Sequence, residues 1–288
     1  MKTLLPLLLL MLGTSLGWGQ VAIQLSVDRM QYLAHERVKG VVTITNRSGG
    51  ELVFESKVNG GVTRSWLTFS MRDSAGRAKP LLINSVFRKA ILPAGRSISR
   101  EVDLSHLFSV NNVGNYSVTA HVTQLDSAGS TYTSNSGHFT VGGGTTLYTQ
   151  NFGVPKSPAP KRTYNVITFN DGKRNSIYAQ VMNSITGRSI STFRLSEYLS
   201  FSSPQMALDT KNQLNILYLA NPEIFVHATV NQDGMMTDTK YFRRSNARGP
   251  RFVTYNDGRL GVLGASPYDP KKEAAAAPQA RSATDRPE

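Results

Sequence analysis

The 288-residue sequence contains no cysteine. That removes disulfide frameworks, thiolate zinc sites, cysteine nucleophiles, iron–sulfur clusters and lipid attachment through an N-terminal cysteine. Acidic residues are scarce too: 19 Asp and Glu stand against 32 Lys and Arg, a formal charge of +13. Such an excess attracts acidic partners at long range without choosing among them. Only five histidines occur, His35, His106, His121, His138 and His227, and none has the spacing of a metal pair such as His-x-x-x-His. There is no Gly-x-Ser-x-Gly elbow and no glycine-rich loop running into a helical pattern, so elbow-type serine hydrolases and phosphate-cradling nucleotide folds are excluded. The carboxylates Asp171, Asp233 and Asp257 each precede a glycine and are explained by hairpin turns rather than by glycoside cleavage. The expectation is a protein with no catalytic residue, no metal and no cofactor.

Long apolar runs are also missing, with one exception at the start. Lys2 precedes an unbroken stretch from Leu4 to Leu12, and the small residues Gly17 and Gly19 follow. Nine residues are too few to span a bilayer, which takes about 20. The order of charge, apolar run and small-x-small end is that of a signal peptide cleaved after Gly19. The mature chain keeps 269 residues and a charge of +12. Export without cysteine points to a bacterial protein of the periplasm or the medium, with no transmembrane segment. Two sequons, at Asn46 and Asn115, carry no weight because so short a pattern arises by chance.

Helical periodicity is nearly absent from the rest. Between Val21 and Val141, short alternating runs recur between turn residues: around Ile23 to Val27, Val38 to Thr45, Leu52 to Glu55, Trp66 to Met71, Leu81 to Val86, Ser97 to Leu104, Asn115 to Val122 and Tyr132 to Val141. About eight strands in ~120 residues is the density of a two-sheet sandwich. The expected core includes Val41, Ile44, Trp66, Phe69, Leu104, Tyr116, Val118 and Phe139.

The stretch Gly114-Asn115-Tyr116-Ser117-Val118, preceded by Leu92-Pro93-Ala94-Gly95, resembles the closing half of a bacterial immunoglobulin-like domain. The resemblance implies a tyrosine corner, with the Tyr116 phenol reaching back to an upstream carbonyl. The opening from Tyr32 to Asn46 is similar to the macroglobulin-like domains of secreted bacterial proteins. The Asn46-x-Ser48-Gly49 turn, the run from Phe69 to Gly76 and Pro93-x-Gly95 are similar to the bacterial intracellular proteinase inhibitors. Residues 20–141 are accordingly expected to form an immunoglobulin-like β-sandwich.

Gly142-Gly143-Gly144 and Pro155, Pro158 and Pro160 read as a linker over 142–162. From 163 to 265 a weak repeat follows: turns at Asp171-Gly172, Lys211-Asn212 and Asp257-Gly258 recur at spacings of 40 and 46, each before an apolar strand. A four-stranded unit of that length resembles the blades of secreted, sialidase-like β-propellers. The Ser, Thr and Trp of a full Asp-box are absent, and two and a half blades cannot close a ring. An open stack of blade-like sheets, closure by oligomerisation and a coincidence of hairpins all remain open. The tail 266–288 lacks apolar bulk and reads as disordered.

Within 163–265, Lys240, Tyr241, Phe242, Arg243, Arg244, Arg248 and Arg251 place five cations and two aromatics in 12 residues with no acid among them. Arginine forks pair with carboxylate or sulfate, and aromatic faces stack on sugar rings. The expected function is an exported, non-enzymatic binding or assembly module that engages an acidic glycan or envelope polymer, or a protein partner, and no specific nucleic-acid sequence. The first domain's resemblance supplies an alternative, a protease inhibitor or macroglobulin-like factor. The blade resemblance supplies a second, a sialidase-like hydrolase.

Overall fold

A computed structural model describes residues 21–124, 129–153, 161–245 and 249–276. The expected signal peptide lies outside the described residues. Those described are almost wholly β, with two short helices, Leu104–Leu107 and Pro270–Ala276. None of their helices is long and apolar enough to cross a membrane.

The chain divides into two compact units. The first comprises Met1–Asp28, Lys39–Asp103 and Ser117–His138, and the second Arg29–Val38, Leu104–Tyr116 and Phe139–Glu288. Residues 20–141 therefore do not cluster as one body: 29–38 and 104–116 group with the second unit.

In the first unit, Lys39–Asn46 is the centre of an antiparallel sheet flanked by Val21–Val27 and Ser97–Asp103. Side chains alternate across a strand. Gly40, Val42, Ile44 and Asn46 turn inward, so Val41 falls on the other face and is only half-buried. Its place in the expected core passes to Val42. The outer face carries hydroxyl pairs, Thr43 with Ser99 at 3.0 Å and Thr45 with Ser97 at 2.8 Å. Leu67, Phe69 and Met71 alternate inward along Leu67–Asp73, and Val118, Ala120 and Val122 are buried in the same unit. Trp66 is fully buried, its ring 5.3 Å from Phe54 and its indole N–H donating to the Arg88 carbonyl at 3.1 Å.

The Asn46 turn is held from the side chain outward. Asn46 is fully buried. Its amide donates to the carbonyls of Leu92 (2.8 Å) and Gly50 (2.7 Å), and its oxygen accepts from the Ser48 backbone N–H (2.8 Å) and hydroxyl (2.6 Å). All four hydrogen-bonding positions of the amide are used. Gly95, at φ 71°, turns so that its N–H reaches the Asn46 carbonyl at 2.9 Å.

The expected strand from Leu81 to Val86 does not form. Leu81, Leu82, Ile83 and Val86 are all exposed. No strand pairs along the run, and it stays in a loop. Four short strands give no clear signal in the sequence, Gln31–Leu33, Ala90–Leu92 and the hairpin pair Lys57–Asn59 and Val62–Arg64.

In the second unit, Tyr116 donates its phenol to the Asn112 carbonyl at 2.7 Å and stacks on Phe139 at 5.5 Å. Leu104, Tyr116 and Phe139 are buried as expected. Two meanders follow. One orders Thr145–Gly153, Lys161–Asn170, Asn175–Asn183 and Ser189–Glu197; the other orders Gln205–Leu208, Leu214–Leu219, Ile224–Val230, Met236–Arg244 and Ala265–Tyr268. They pack face to face through Tyr164, Val166, Ile177, Ala179 and Val181 on one side and Leu214, Ile216, Tyr218, Val226 and Ala228 on the other. The far face of the second meander is covered in turn: Leu217, Leu219 and Phe225 meet Phe252 and Val262 of the hairpin Arg251–Thr254 with Leu260–Leu263. With both faces covered, Leu214–Leu219 and Ile224–Val230 are buried at every residue. That is why they read as continuous apolar runs rather than alternating ones. The turns at Asp171-Gly172, Lys211-Asn212 and Asp257-Gly258 each close a hairpin.

Much of the expected linker is strand. Residues 145–153 pair with 161–168, and residues 154–160 lie outside the described residues. Gly142 and Gly144 are there for space, not flexibility. A Cβ on Gly144 would collide with Ile167 and come within 2.7 Å of the Thr168 carbonyl, and one on Gly142 within 2.8 Å of the Phe169 ring. The tail also begins later than expected, since Ala265–Tyr268 pairs with the end of Met236–Arg244 and a helix follows over Pro270–Ala276. Proline at the first helical position and the Asp269 carboxylate, which accepts from the Lys271 N–H at 3.0 Å, start that helix.

Candidate functional site

The basic cluster occupies the end of the Met236–Arg244 strand and the start of the Arg251–Thr254 strand; Arg248 lies outside the described residues. Strand alternation sends its members to opposite faces. Tyr241 packs into the core between the two meanders, while Phe242 packs on the far face with Phe225, Phe252 and Val262. Arg243 goes with Tyr241, and Lys240 and Arg244 go with Phe242.

On the Phe242 side, Arg244 sits over the Phe225 ring, 5.8 Å from its centroid. Lys240 stands opposite His227, a buried histidine whose Nε2–H donates to the Asn215 amide oxygen at 2.9 Å and whose ring meets Phe252 edge to face at 5.2 Å. Burial, with the Lys240 charge behind it, holds the His227 imidazole below its ordinary pKa despite the opposing pull of Asp238. The ring is therefore a neutral core group at physiological pH. Arg251 directly precedes the inward-packed Phe252 and is exposed on the outer side of its hairpin.

On the other face, Arg243 lies over Tyr268 at 4.9 Å. It contacts Glu273 at 3.1 Å and Glu223 at 3.9 Å. Back on the Phe242 face, Lys240 meets Asp238 at 3.1 Å. The acids missing from the 12-residue stretch are thus supplied by the turn before Ile224–Val230, by the helix Pro270–Ala276 and by the residue two before Lys240. Folding turns a continuous run of cations into two partly compensated groups. Each of these ion pairs is exposed and worth about 0–1 kcal/mol, so an added carboxylate or sulfate competes for the same cations at little cost.

A second ionic cluster was not legible in the sequence. Arg29 pairs with the buried Glu36 at 2.6 Å, the other Glu36 oxygen accepts the Leu33 N–H at 3.0 Å, and Arg29 also reaches the Tyr178 hydroxyl at 3.4 Å. Burial pushes the Tyr178 phenol up to about 12, with Glu36 adding to the shift. This cluster satisfies its own charges and ties residues 29–36 to the first meander. Among the described histidines, His121 spends its ring nitrogens on Ser70 (2.9 Å) and Thr133 (3.3 Å), and no group of three or more metal-ligating side chains occurs among the described residues.

No protein-family model and no curated protein matches the sequence. Among solved structures the chain is similar to Spo0M, the sporulation control protein of Bacillus subtilis, with a TM-score of 0.28 and 8% identity over 62% of this chain and 91% of that one. A likeness of that size carries no argument about fold or function.

Proposed function

We propose that the protein is an exported, non-enzymatic binding module that holds an acidic glycan or a comparable envelope polymer along the basic end of its second meander. The observation that carries the reading is the pair Arg243 and Arg244, adjacent, exposed, and each with its guanidinium over an aromatic ring, Tyr268 at 4.9 Å and Phe225 at 5.8 Å. A guanidinium held over a ring by cation–π attraction keeps N–H groups for bidentate contact with an anion. Because the two project from opposite faces, the ligand they suit is an extended polyanion that passes over the strand end rather than a small anion. Lys240 and Arg251 extend the same region. Residues 145–265 carry 14 basic and 7 acidic residues, which supplies the attracting field.

The architecture that accompanies this reading is an immunoglobulin-like sandwich, supported by the Tyr116 contact with Asn112, joined to an open stack of blade-like meanders, supported by the face-to-face layering of two meanders and a hairpin. The test is to incubate the pure protein with labelled acidic and neutral glycans and with a panel of proteases. Retention of acidic glycans without product formation supports the proposal. Protease inhibition without retention, or glycan cleavage, would replace it with the inhibitor or the hydrolase.

A further inference from the structure

The first unit carries an apolar surface that the binding proposal does not use. Leu81, Leu82, Ile83 and Val86 are between 41% and 57% exposed. They belong to a loop with a fixed base: Phe87 packs against Trp66 at 6.0 Å and Phe69 at 6.3 Å, its carbonyl accepts the Ser56 hydroxyl at 3.1 Å, and the Arg88 carbonyl accepts the Trp66 indole N–H. The loop runs directly into Ala90–Leu92, where Ile91 is exposed opposite the equally outward Val53. The aliphatic side chains are thus displayed by an anchored segment.

Along the chain, the charge beside the loop has one sign. From residue 74 to 100 the sequence contains Arg77, Lys79, Arg88, Lys89, Arg96 and Arg100 and no acid at all. Arg77 is joined to Asp73 and Lys89 to Glu55 from outside that stretch. Both are exposed pairs of the weak kind. Aliphatic side chains on a loop, bordered by cations, match a surface that is apolar inside and anionic at its boundary. An anionic lipid bilayer is such a surface. A protein partner fits less well, because protein interfaces concentrate binding in aromatic anchors, and the exposed large side chains here are all Leu, Ile and Val. Aliphatic chains need no shaped pocket when they enter a fluid acyl layer, and each Lys or Arg near the headgroups adds attraction that salt screens.

We infer that the loop from Leu81 to Val86, with Ile91 and Val53 beside it and Arg88 and Lys89 at its border, docks the protein onto anionic membranes. This surface is independent of the glycan proposal and stands or fails alone. Purified full-length protein would be floated with vesicles of phosphatidylcholine alone and of equal parts phosphatidylcholine and phosphatidylglycerol. The expected result is flotation with the anionic vesicles only. The double variant Leu82→Ser with Ile83→Ser should bind them at least ~10-fold more weakly, and Arg88→Ser with Lys89→Ser should lose most of the salt-sensitive part. Ile185→Ser, which removes an even more exposed aliphatic side chain from a hairpin of the second unit, should bind like the native protein. An unchanged thermal transition for each variant keeps the comparison valid, since all these side chains are exposed. Absent binding to anionic vesicles, or full binding by the Leu82/Ile83 variant, overturns the assignment. So does concentration-dependent dimerisation without lipid that the same variant abolishes, since the loop would then be a contact between copies.

Discussion

Replacing Asn46 with alanine should be among the most damaging single changes in the first unit, although a sequence reader would place it in a surface turn. The side chain makes four hydrogen bonds and is fully buried. Truncation removes all four at a net ~1 kcal/mol or less each, because the Gly50 carbonyl keeps the Ser48 hydroxyl at 2.9 Å as a second partner. The Leu92 carbonyl loses a buried donor, a further cost of about 1–3 kcal/mol. A loss of roughly 3–5 kcal/mol results, measured by urea unfolding. Asn46→Asp separates hydrogen bonding from shape: an ionised carboxylate would face two carbonyls and repel them, whereas a protonated one can donate. Its deficit relative to the native protein should therefore shrink as pH falls. A loss of under ~0.5 kcal/mol for Asn46→Ala, or an Asn46→Asp deficit that does not change with pH, would refute the reasoning.

Three further outcomes follow from packing and charge. Gly144→Ala should cost about 1–3 kcal/mol by overpacking against Ile167 and the Thr168 carbonyl, whereas a linker glycine would cost nothing; thermal unfolding decides. Glu36→Ala should cost about 3–5 kcal/mol by leaving Arg29 half-buried without its carboxylate and the Leu33 N–H without an acceptor, again read by urea unfolding. His227 has its pKa lowered in the folded state, so the unfolded chain binds more protons below its own pKa of about 6.5. Stability from this group is fully present above that pH and declines as pH falls through it. His227→Asn should flatten that part of the pH–stability profile.

How much of this was readable in the sequence depends on periodicity. Strands with one covered face, such as Leu67–Asp73 and Gly114–Thr123, alternate cleanly and were placed to within a residue or two. Parity was the weak point at Val41 and Val42, where two adjacent valines leave the inward face undetermined until Asn46 and Ile44 fix it. Gly142 and Gly144 read as linker because close approach and flexibility both select glycine, and only the packed neighbours Phe169 and Ile167 distinguish the two cases. The run from Leu81 to Val86 shows the converse, an apolar segment with strand composition and no partner strand. At the basic cluster the alternation of Tyr241 and Phe242 was legible, but the compensating Glu223 and Glu273 were not, because they approach from 20 and 30 residues away in the chain.

The binding claim meets its most direct test on a heparin column developed with a salt gradient, comparing the native protein with Arg243→Ser, Arg244→Ser and Arg251→Ser combined. Contact with a polyanion releases counterions, so binding through these arginines must weaken steeply as salt rises. The account predicts that the triple variant elutes at clearly lower salt and with a shallower dependence of affinity on salt than the native protein. Coincident elution of the two proteins would contradict it and leave these arginines as charges that only keep a β-rich chain soluble.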